Sequence, residues 1–378
     1  MSEMLGLYYA KGVDAMVAAQ AAKKQKAEAA ALGAAKPVLH PEYGYAHSMV
    51  HGVVFPPFAD EAAIDEMRSV DWSQDGDIMI ATYPKCGTTW MQQIVLLLLA
   101  NGDAEKVHDP MVQSPWVDRE FSIAATSGDP AKKQQMWDEM LNGPADPAFG
   151  RRVFKTHATW ELNPCGGKFS KGKFIVITRN PKDAALSMHK HYLGLPPFKY
   201  SGPWEHFYEI YMQGKVGHGS WFNHVLSWRE CRKELGDERV FWITFEEMKA
   251  DPVPSVRKLA DFLGLTVTDE VLQLVALGSS FDSMKAQHEK REKEGTRKMG
   301  SANHFRSGKS GGWRDVFTVS QSEALDAELC EKMAGCDDIV TDFGRGVVYR
   351  GGELCKAQSA IAETTEEKSP QVPKSLAG

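Results

Sequence analysis

The sequence predicts an α/β fold in which helices flank a parallel β-sheet of about four to five strands. Short, nearly unbroken apolar runs alternate with longer helical patterns, as in buried parallel sheets. The four predicted core strands are 78–82, 151–157, 173–178 and 240–245, and 173–178 is an unbroken apolar run. Three basic or titratable residues close or follow these strands, namely Lys85, His157 and Arg179. Because ligands of such sheets bind beyond the carboxyl ends of the strands, we expect these side chains to share one site.

The composition is that of a globular protein, since 43% of the 378 residues are hydrophobic and 25% are charged. The net charge of −6 gives no overall basic field, so we expect no nucleic-acid partner. The six cysteines form no C-x-x-C pair, which favours reduced thiols and a cytoplasmic protein. The longest apolar run, 94–100, is far too short to span a membrane, and the sequence shows no secretory signal.

Three regions are predicted along the chain. Residues 1–36 are rich in alanine and lysine and are expected to form a helical or flexible extension. Residues 37–349 are expected to form the folded domain, and the polar residues 350–378 a disordered tail. Near the start of the domain, residues 48–55 are expected to form one short edge strand, because two prolines follow them.

Residues 103–150 contain five prolines and predict an irregular connection with one short helix near 132–141. A connection of this length in a compact domain is usually functional, and we interpret it as the wall and lid of a ligand pocket. Trp116 and Phe121 are candidates for its apolar lining. An ordinary packed aromatic residue is an equal alternative for each.

The remaining elements are predicted from periodicity and capping signals. The third apolar run leads into a helix start with Asn180 as N-cap, Pro181 as the first helical residue and Asp183 in the first turn. Residues 285–303 carry mixed charges and are expected to be solvated and mobile. Further helices are predicted near 203–213, 219–235, 252–263, 269–277 and 320–334.

The first apolar run leads into Thr-Tyr-Pro-Lys-Cys-Gly-Thr-Thr-Trp, residues 82–90, and then into a helical stretch. A strand, a tight glycine turn and a helix direct backbone N–H groups and the positive end of the helix dipole at one position, which predicts an anion site. Lys85, Thr88 and Thr89 add donors to it. The Walker pattern does not fit, because its lysine follows the glycine whereas Lys85 precedes Gly87. A helix-capping turn in an ordinary α/β protein is the alternative interpretation.

Four segments together resemble the motifs of the cytosolic-type sulfotransferases, in the order in which that family has them. They are the loop 82–90, Phe-Lys-Thr-His at 154–157, Arg-Asn-Pro-Lys-Asp-Ala-Ala-Leu-Ser at 179–187 and Phe-Arg-Ser-Gly-Lys-Ser-Gly-Gly-Trp at 305–313. The resemblance covers roughly residues 45–335. It implies a P-loop-like nucleotide-binding fold of the sulfotransferase type. It also implies an enzyme that moves a sulfuryl group from 3′-phosphoadenosine 5′-phosphosulfate (PAPS) to a hydroxyl or amine of a small acceptor, leaving adenosine 3′,5′-bisphosphate (PAP).

The resemblance further implies which residues bind PAPS. Arg179 and Arg306 would grip the 3′-phosphate, since a guanidinium offers two parallel donors to phosphate oxygens. Trp90 would stack on one side of the adenine, and residues 279–281 would supply a second wall. The implied set is Lys85, Cys86, Gly87, Thr88, Thr89, Trp90, Arg179, Ser187, Phe245, Ser279, Phe281, Met284, Arg306, Ser307 and Gly308.

Three positions of this set depart from the family pattern. Cys86 stands where serine is usual, Phe245 where tyrosine is usual and Ser307 where lysine is usual. The first change weakens a hydrogen-bond donor, the second removes a hydroxyl, and the third removes a positive charge beside the 3′-phosphate. We expect weaker PAPS binding than in a relative with the full motifs, without loss of binding.

For the transfer, analogy with phosphoryl transfer predicts a loose in-line transition state, so that catalysis consists mainly of positioning and electrostatics. His157 is the predicted general base. Lys85 is expected to neutralise the bridging oxygen of the departing phosphate. Lys155 lies two residues before His157 on the same face of its strand and would steady the transferring group, as the resemblance implies. Trp116, Lys155 and His157 are the predicted acceptor-binding residues, and no metal is expected.

Residues 314–323, Arg-Asp-Val-Phe-Thr-Val-Ser-Gln-Ser-Glu, resemble the short dimer motif of the family and predict a homodimer. A loop that leads into a helix capped by Ser320 or Ser322 explains the same residues equally well.

Two other functions stay open at this point. A P-loop kinase or NTPase is disfavoured by the position of Lys85 and by the lack of a magnesium carboxylate in these motifs. A non-catalytic nucleotide-binding relative is supported only by the three departures. The acceptor is open among phenols, steroids, aliphatic alcohols and amines, and residues 103–150 and 193–218 are expected to choose among them.

Overall fold

The computed structural model of this protein describes residues 43–165, 169–293, 308, 310–344, 347–350 and 353–356. In chain order the elements are β1 (Ser48–Val50), β2 (Val53–Phe55), α1 (Glu61–Arg68), β3 (Ile78–Thr82), α2 (Thr88–Leu99), α3 (Pro110–Gln113), α4 (Val117–Thr126), α5 (Pro130–Asn142), β4 (Val153–Thr156), β5 (Lys173–Thr178), α6 (Pro181–Gly194), α7 (Trp204–Met212), α8 (Trp221–Leu235), β6 (Val240–Thr244), α9 (Phe245–Ala250), α10 (Pro252–Leu263), α11 (Asp269–Gly278), α12 (Phe281–Lys293), α13 (Val319–Lys332), β7 (Val340–Gly344), β8 (Val347–Arg350) and β9 (Glu353–Lys356).

The main sheet has the strand order β4-β3-β5-β6, and every neighbouring pair of strands is parallel. Ile78 on the central strand β3 lies opposite Val153 on one side and Lys173 on the other. These are the four core strands predicted from the sequence, so the predicted parallel sheet is confirmed. The run that ends at Phe245 is one residue shorter as a strand, because Phe245 begins α9.

Both faces of the main sheet are covered by helices. Ile78 and Ile80 pack on one face with side chains of α2, α10 and α11. Met79 and Ala81 pack on the other face with side chains of α1, α4 and α8. Because successive strand residues point to opposite faces, a strand covered on both sides is mostly apolar, which explains the apolar character of β3 and β5.

A third apolar cluster, rich in aromatic rings, joins α6, α7 and α13 to β7. The buried Lys182 of α6 lies within it. Its ammonium is 2.6 Å from Asp326 of α13 and 4.4 Å from the ring centre of Trp313. This pairing satisfies a charge that would otherwise be costly to bury, and it fixes the C-terminal part of the domain to the start of α6.

Two expectations for the N-terminal half were wrong. Residues 48–55 form a two-stranded antiparallel hairpin outside the main sheet, because His51 and Gly52 turn the chain with φ of 48° and 80°. The segment 103–150 is largely helical and contains α3, α4 and α5. Two of these helices begin with a proline behind an aspartate N-cap, Asp109 and Asp129, which accept the amides of residues 111 and 131. Two of the five prolines that suggested an irregular connection, Pro110 and Pro130, therefore start helices.

Three further boundaries differ from expectation in the C-terminal half. Helix α12 extends to Lys293, so the whole described part of the charged segment, 285–293, is helical. Thr318 caps α13 in a reciprocal capping box with Gln321, in place of Ser320 or Ser322. Strands β7, β8 and β9 form a separate antiparallel sheet that reaches Lys356, so the tail boundary at 350 falls inside this sheet. The extension 1–36 lies outside the described residues.

Cys86, Cys165, Cys231, Cys330 and Cys336 are free thiols. No helix among the described residues has the length and apolar character needed to cross a membrane.

A buried ion pair joins the residues that precede β3 and β4. Nε of Arg152 donates to Oδ1 of Asp77 at 2.8 Å, and its other nitrogens donate to the carbonyls of Met140 and Trp72 at 2.6 and 3.1 Å. Replacing Arg152→Met leaves the Asp77 carboxylate buried and unpaired. We therefore expect urea titration to show that the free energy of unfolding falls by about 3–5 kcal/mol.

The neighbouring Arg151 provides the matched control. It is half-buried and donates to a single backbone carbonyl, that of Leu263, at 2.9 Å. Replacing Arg151→Met should lower the free energy of unfolding by roughly 1 kcal/mol or less. Equal losses in the two variants would contradict the special role of the buried pair.

Candidate active site

The loop between β3 and α2 has the geometry of an anion site. Gly87 adopts φ 105°, and a Cβ there would lie 3.0 Å from Cδ2 of Phe245, so both the backbone and the space require glycine. No side chain caps α2, whose N-terminal amides therefore have no partner within the helix. At the first helical residue, Oγ1 of Thr88 lies 2.6 Å from Oγ1 of Thr82. These amides are available to a phosphate or sulfate group.

Arg179 lies directly beside this loop. Its Nη1 donates to the backbone carbonyl of Lys85 at 3.1 Å, and its guanidinium lies 4.3 Å from the ring centre of Phe245. The helix that follows is started by Asn180, whose side chain accepts the amide of Lys182 at 2.9 Å. The chain thus places a guanidinium, a lysine and two helix N-termini at the carboxyl edge of the sheet.

Asp183, in the first turn of α6, binds part of the segment 305–313, which was predicted to contact the 3′-phosphate. Its carboxylate accepts the amide of Gly311 at 2.7 Å and that of Trp313 at 3.2 Å. Gly308 packs against Phe281, since a Cβ at Gly308 would lie 2.5 Å from that ring. Arg306 and Ser307 lie outside the described residues. Gly311 and Trp313 are thus held at α6, and Gly308 at α12.

His157 follows β4 and is bonded to the end of β3. Its Nδ1 lies 2.8 Å from the backbone oxygen of Thr82. A carbonyl can only accept, so Nδ1 carries the hydrogen and Nε2 keeps its lone pair. Burial lowers the pKa of His157 well below its ordinary value, and the neighbouring charge of Lys155 acts in the same direction. His157 is therefore neutral near pH 7, in the form that can accept a proton.

Lys155 and Trp116 lie next to His157. The ring of Trp116 stands edge-on to the imidazole with ring centres 4.8 Å apart, and the ammonium of Lys155 is 5.3 Å from the centre of the indole ring. Nζ of Lys155 also donates to Sδ of Met111 at 3.4 Å. Burial lowers the pKa of Lys155 to about 8, although Asp118 opposes that shift. The structure thus brings together the three residues predicted to bind the acceptor.

Two of the predicted adenine-binding residues line one apolar pocket. Trp90 and Ser279 line this pocket together with Phe241. Trp90 also meets Phe245 edge-on, with ring centres 5.2 Å apart. Met284 of α12 is buried.

The remaining predicted residues are less directly joined to the site. Burial raises the pKa of the Cys86 thiol to about 12, and the thiol faces the carbonyl of Pro84 at 3.8 Å. The hydroxyl of Thr89 faces Sδ of Met111 at 3.8 Å. Ser187 lies about two turns along α6 and is half-buried. Phe121 packs on Trp137 within the core with ring centres 4.9 Å apart, so its predicted place in a pocket wall was wrong.

Two residues of the site, Thr82 and His218, were not predicted from the sequence. Thr82 connects His157 to the phosphate loop through its carbonyl and hydroxyl. His218 is buried with its ring centre 5.5 Å from that of His157. The only signal for His218 was the pair of flanking glycines, Gly217 and Gly219. No group of three or more His, Cys, Asp or Glu side chains among the described residues could hold a metal ion.

The fold and the site define a class of protein, an α/β group-transfer enzyme with an anion-binding loop next to a neutral histidine. A family model described as the sulfotransferase domain matches residues 75–337. The chain is 31% identical over 293 residues to Sulfotransferase 2A1 of Homo sapiens, covering 75% of this chain and 93% of that protein. It is 35% identical over 262 residues to Sulfotransferase 1 family member D1 of Mus musculus, covering 68% of this chain and 83% of that one.

A solved structure agrees with the sequence relatives. Mouse sulfotransferase SULT7A1, complexed with PAP, superposes with a TM-score of 0.60 at 28% identity, covering 77% of this chain and 95% of that one. The chain belongs to the sulfotransferase family. The predicted family, class of enzyme and fold class are confirmed.

Proposed function

We propose that this protein transfers a sulfuryl group from PAPS to a hydroxyl or amine of a small acceptor, with His157 as the general base. One continuous set of contacts carries the proposal. His157 is bonded to the carbonyl of Thr82 at 2.8 Å, and the hydroxyl of Thr82 lies 2.6 Å from that of Thr88, the first residue of α2. The proton acceptor is therefore rigidly connected to the anion-binding helix N-terminus.

The residues around the loop fit the two ends of PAPS. Lys85 and the amides of residues 87–89 would hold the 5′-phosphosulfate, where the helix dipole favours negative charge. Arg179 is stacked on Phe245 and would grip the 3′-phosphate with the guanidinium held in place in advance. The remaining proposed 3′-phosphate residues are Ser187, Arg306, Ser307 and Gly308, and those for the adenine are Trp90, Phe245, Ser279, Phe281 and Met284. The structure of the mouse relative in complex with PAP supports this nucleotide as the ligand.

In the transfer, Nε2 of His157 takes the proton of the acceptor hydroxyl as the oxygen forms its bond to sulfur. Lys85 stabilises the negative charge that develops on the oxygen remaining with the 5′-phosphate as the bond from that oxygen to sulfur breaks. Lys155 lies beside His157 and steadies the charge on the transferring group. Trp116 supplies an apolar wall for the acceptor.

We also propose that the protein is cytoplasmic and dimerises through residues 314–323. Val319, the first residue of α13, is 75% exposed although it is apolar. This exposed apolar residue supports the dimer contact, and the five free thiols support the cytoplasmic assignment.

The nucleotide half of this proposal is tested by calorimetry. Injection of PAP should release heat with a dissociation constant in the micromolar range or below, whereas ADP, which lacks the 3′-phosphate, should bind at least about tenfold more weakly because Arg179 loses its partner. Transfer is then measured with ³⁵S-labelled PAPS and a panel of phenols, alcohols and amines.

Each outcome separates the competing functions. Heat with PAP and a labelled organic sulfate supports the proposal. Heat without transfer to any acceptor would favour a non-catalytic nucleotide-binding protein. Magnesium-dependent hydrolysis of ATP without PAP binding would favour a kinase or NTPase.

A further inference from the structure

His218 occupies a backbone position that few side chains adopt. It lies before α8 with φ 71°, in the left-handed region that favours glycine. Three hydrogen bonds hold the segment: the His218 amide donates to the Val54 carbonyl at 2.7 Å, Tyr192 Oη accepts the amide of Gly217 at 2.6 Å, and Tyr83 Oη donates to the carbonyl of Gly219 at 3.0 Å. A strained residue persists where its surroundings enforce it, and such residues cluster at functional sites.

The imidazole of His218 faces the candidate acceptor site. Its ring centre is 5.5 Å from that of His157, 5.8 Å from that of Trp116 and 4.7 Å from that of Phe55. The residue is only 2% exposed, yet neither ring nitrogen has a hydrogen-bond partner within the part of the chain that the structure describes. An unsatisfied polar group in the interior is costly, so a ligand that supplies the missing partner is strongly favoured there.

The protonation state of His218 determines what it can offer. Burial lowers its pKa well below the ordinary value for histidine, and the nearby rings of His157 and His224 act in the same direction. A neutral imidazole has one N–H donor and one acceptor nitrogen. His218 can therefore donate a hydrogen bond to an atom that at the same time gives its proton to His157.

We propose that His218 donates a hydrogen bond to the acceptor oxygen and thereby selects hydroxyl acceptors over amines; this deepens the proposed function and rests on it. A hydroxyl oxygen has two lone pairs. One accepts the hydrogen bond from His218 and the other forms the new bond to sulfur, while the proton passes to Nε2 of His157. A neutral amine nitrogen has a single lone pair, which it needs for the attack on sulfur. It can therefore accept no hydrogen bond from His218 during transfer.

The experiment compares two substitutions of equal length and shape. His218→Met removes both ring nitrogens, whereas His218→Gln keeps a donor and an acceptor, and both replacements meet the same backbone strain. Transfer from PAPS is measured with 4-methylphenol against 4-methylaniline, and with 4-ethylphenol against 4-ethylaniline, because these aromatic amines are neutral at the pH of the assay. PAP calorimetry on each variant shows that the nucleotide site is intact.

We expect His218→Met to lower kcat/KM for the hydroxyl acceptors about tenfold, mostly through a higher KM, as the loss of one hydrogen bond predicts. The kcat/KM for the amines should change less than twofold. His218→Gln should retain most of the hydroxyl activity. The dissociation constant of PAP should stay within twofold of the wild-type value in both variants.

Several results would overturn the inference. His218→Met could lower both members of each acceptor pair equally, or leave all four acceptors unchanged. Wild-type protein could transfer to the amines better than to the hydroxyl compounds, or bind PAP and transfer to none of the four. Absence of any heat with PAP is a different result, because it removes the proposed function itself.

Discussion

Replacing His157→Ala should lower kcat for sulfuryl transfer by about a thousandfold, since a positioned general base contributes roughly 10²–10⁴ in rate. The wild-type imidazole is held by the Thr82 carbonyl with its lone pair on Nε2, and burial keeps it neutral. Alanine provides no proton acceptor in its place. The rate is measured as the steady-state formation of ³⁵S-labelled product at saturating PAPS.

The nucleotide site should survive this substitution, because none of the described contacts of Arg179 or of the α2 N-terminus includes the imidazole. Calorimetry should give a PAP dissociation constant within about twofold of the wild-type value. His51→Ala serves as the control, since His51 is exposed and its Nε2 pairs with Asp65 at 2.8 Å away from the site. A kcat of the His157 variant within tenfold of wild type would contradict the assignment of the base.

Replacing Lys85→Met should lower kcat by about 10²–10³-fold, because the ammonium stabilises charge that develops only in the transition state. The same change should weaken PAP binding about tenfold, since one charge-assisted contact to the 5′-phosphate is lost. Methionine preserves the unbranched stem of the side chain. Single-turnover rates with labelled PAPS separate the chemical step from nucleotide binding.

Lys199→Met is the matched control. Lys199 is exposed and has φ 51°, while Lys85 has φ 69°, so the two substitutions meet similar backbone strain. The control variant should keep the wild-type kcat. If Lys85→Met weakened PAP binding and left the single-turnover rate unchanged, Lys85 would bind nucleotide without stabilising the transition state.

The elements read most accurately from the sequence are those whose signals are local. The strand Lys173–Thr178 is apolar because both of its faces are covered. The helix that follows it begins with Asn180 as the N-cap and a proline at the first helical position. The phosphate loop was recognisable for the same reason, since a strand, a glycine turn and a helix are contiguous. Periodicity and capping depend on neighbours a few residues apart, so the sequence contains that information directly.

The segment 103–150 shows where local signals misled. Its prolines suggested an irregular connection, but Pro110 and Pro130 occupy the first helical position behind an aspartate cap. Phe121 and Trp116 looked equivalent as pocket candidates. Packing against Trp137 buries Phe121 in the core, whereas Trp116 meets His157. Which side of a short helix faces the core depends on elements far away in the chain.

By itself the sequence determined the parallel sheet, the order of its strands along the chain, the phosphate loop and the family of the protein. Tertiary structure alone decided the spatial strand order β4-β3-β5-β6, the bond from His157 to Thr82 and the approach of His218 to within 5.5 Å of His157, ring centre to ring centre. The physical reason is separation along the chain. His157 and His218 are placed by contacts with β3 and the β1–β2 hairpin, and no spacing or periodicity near either residue encodes a contact with elements so distant in sequence.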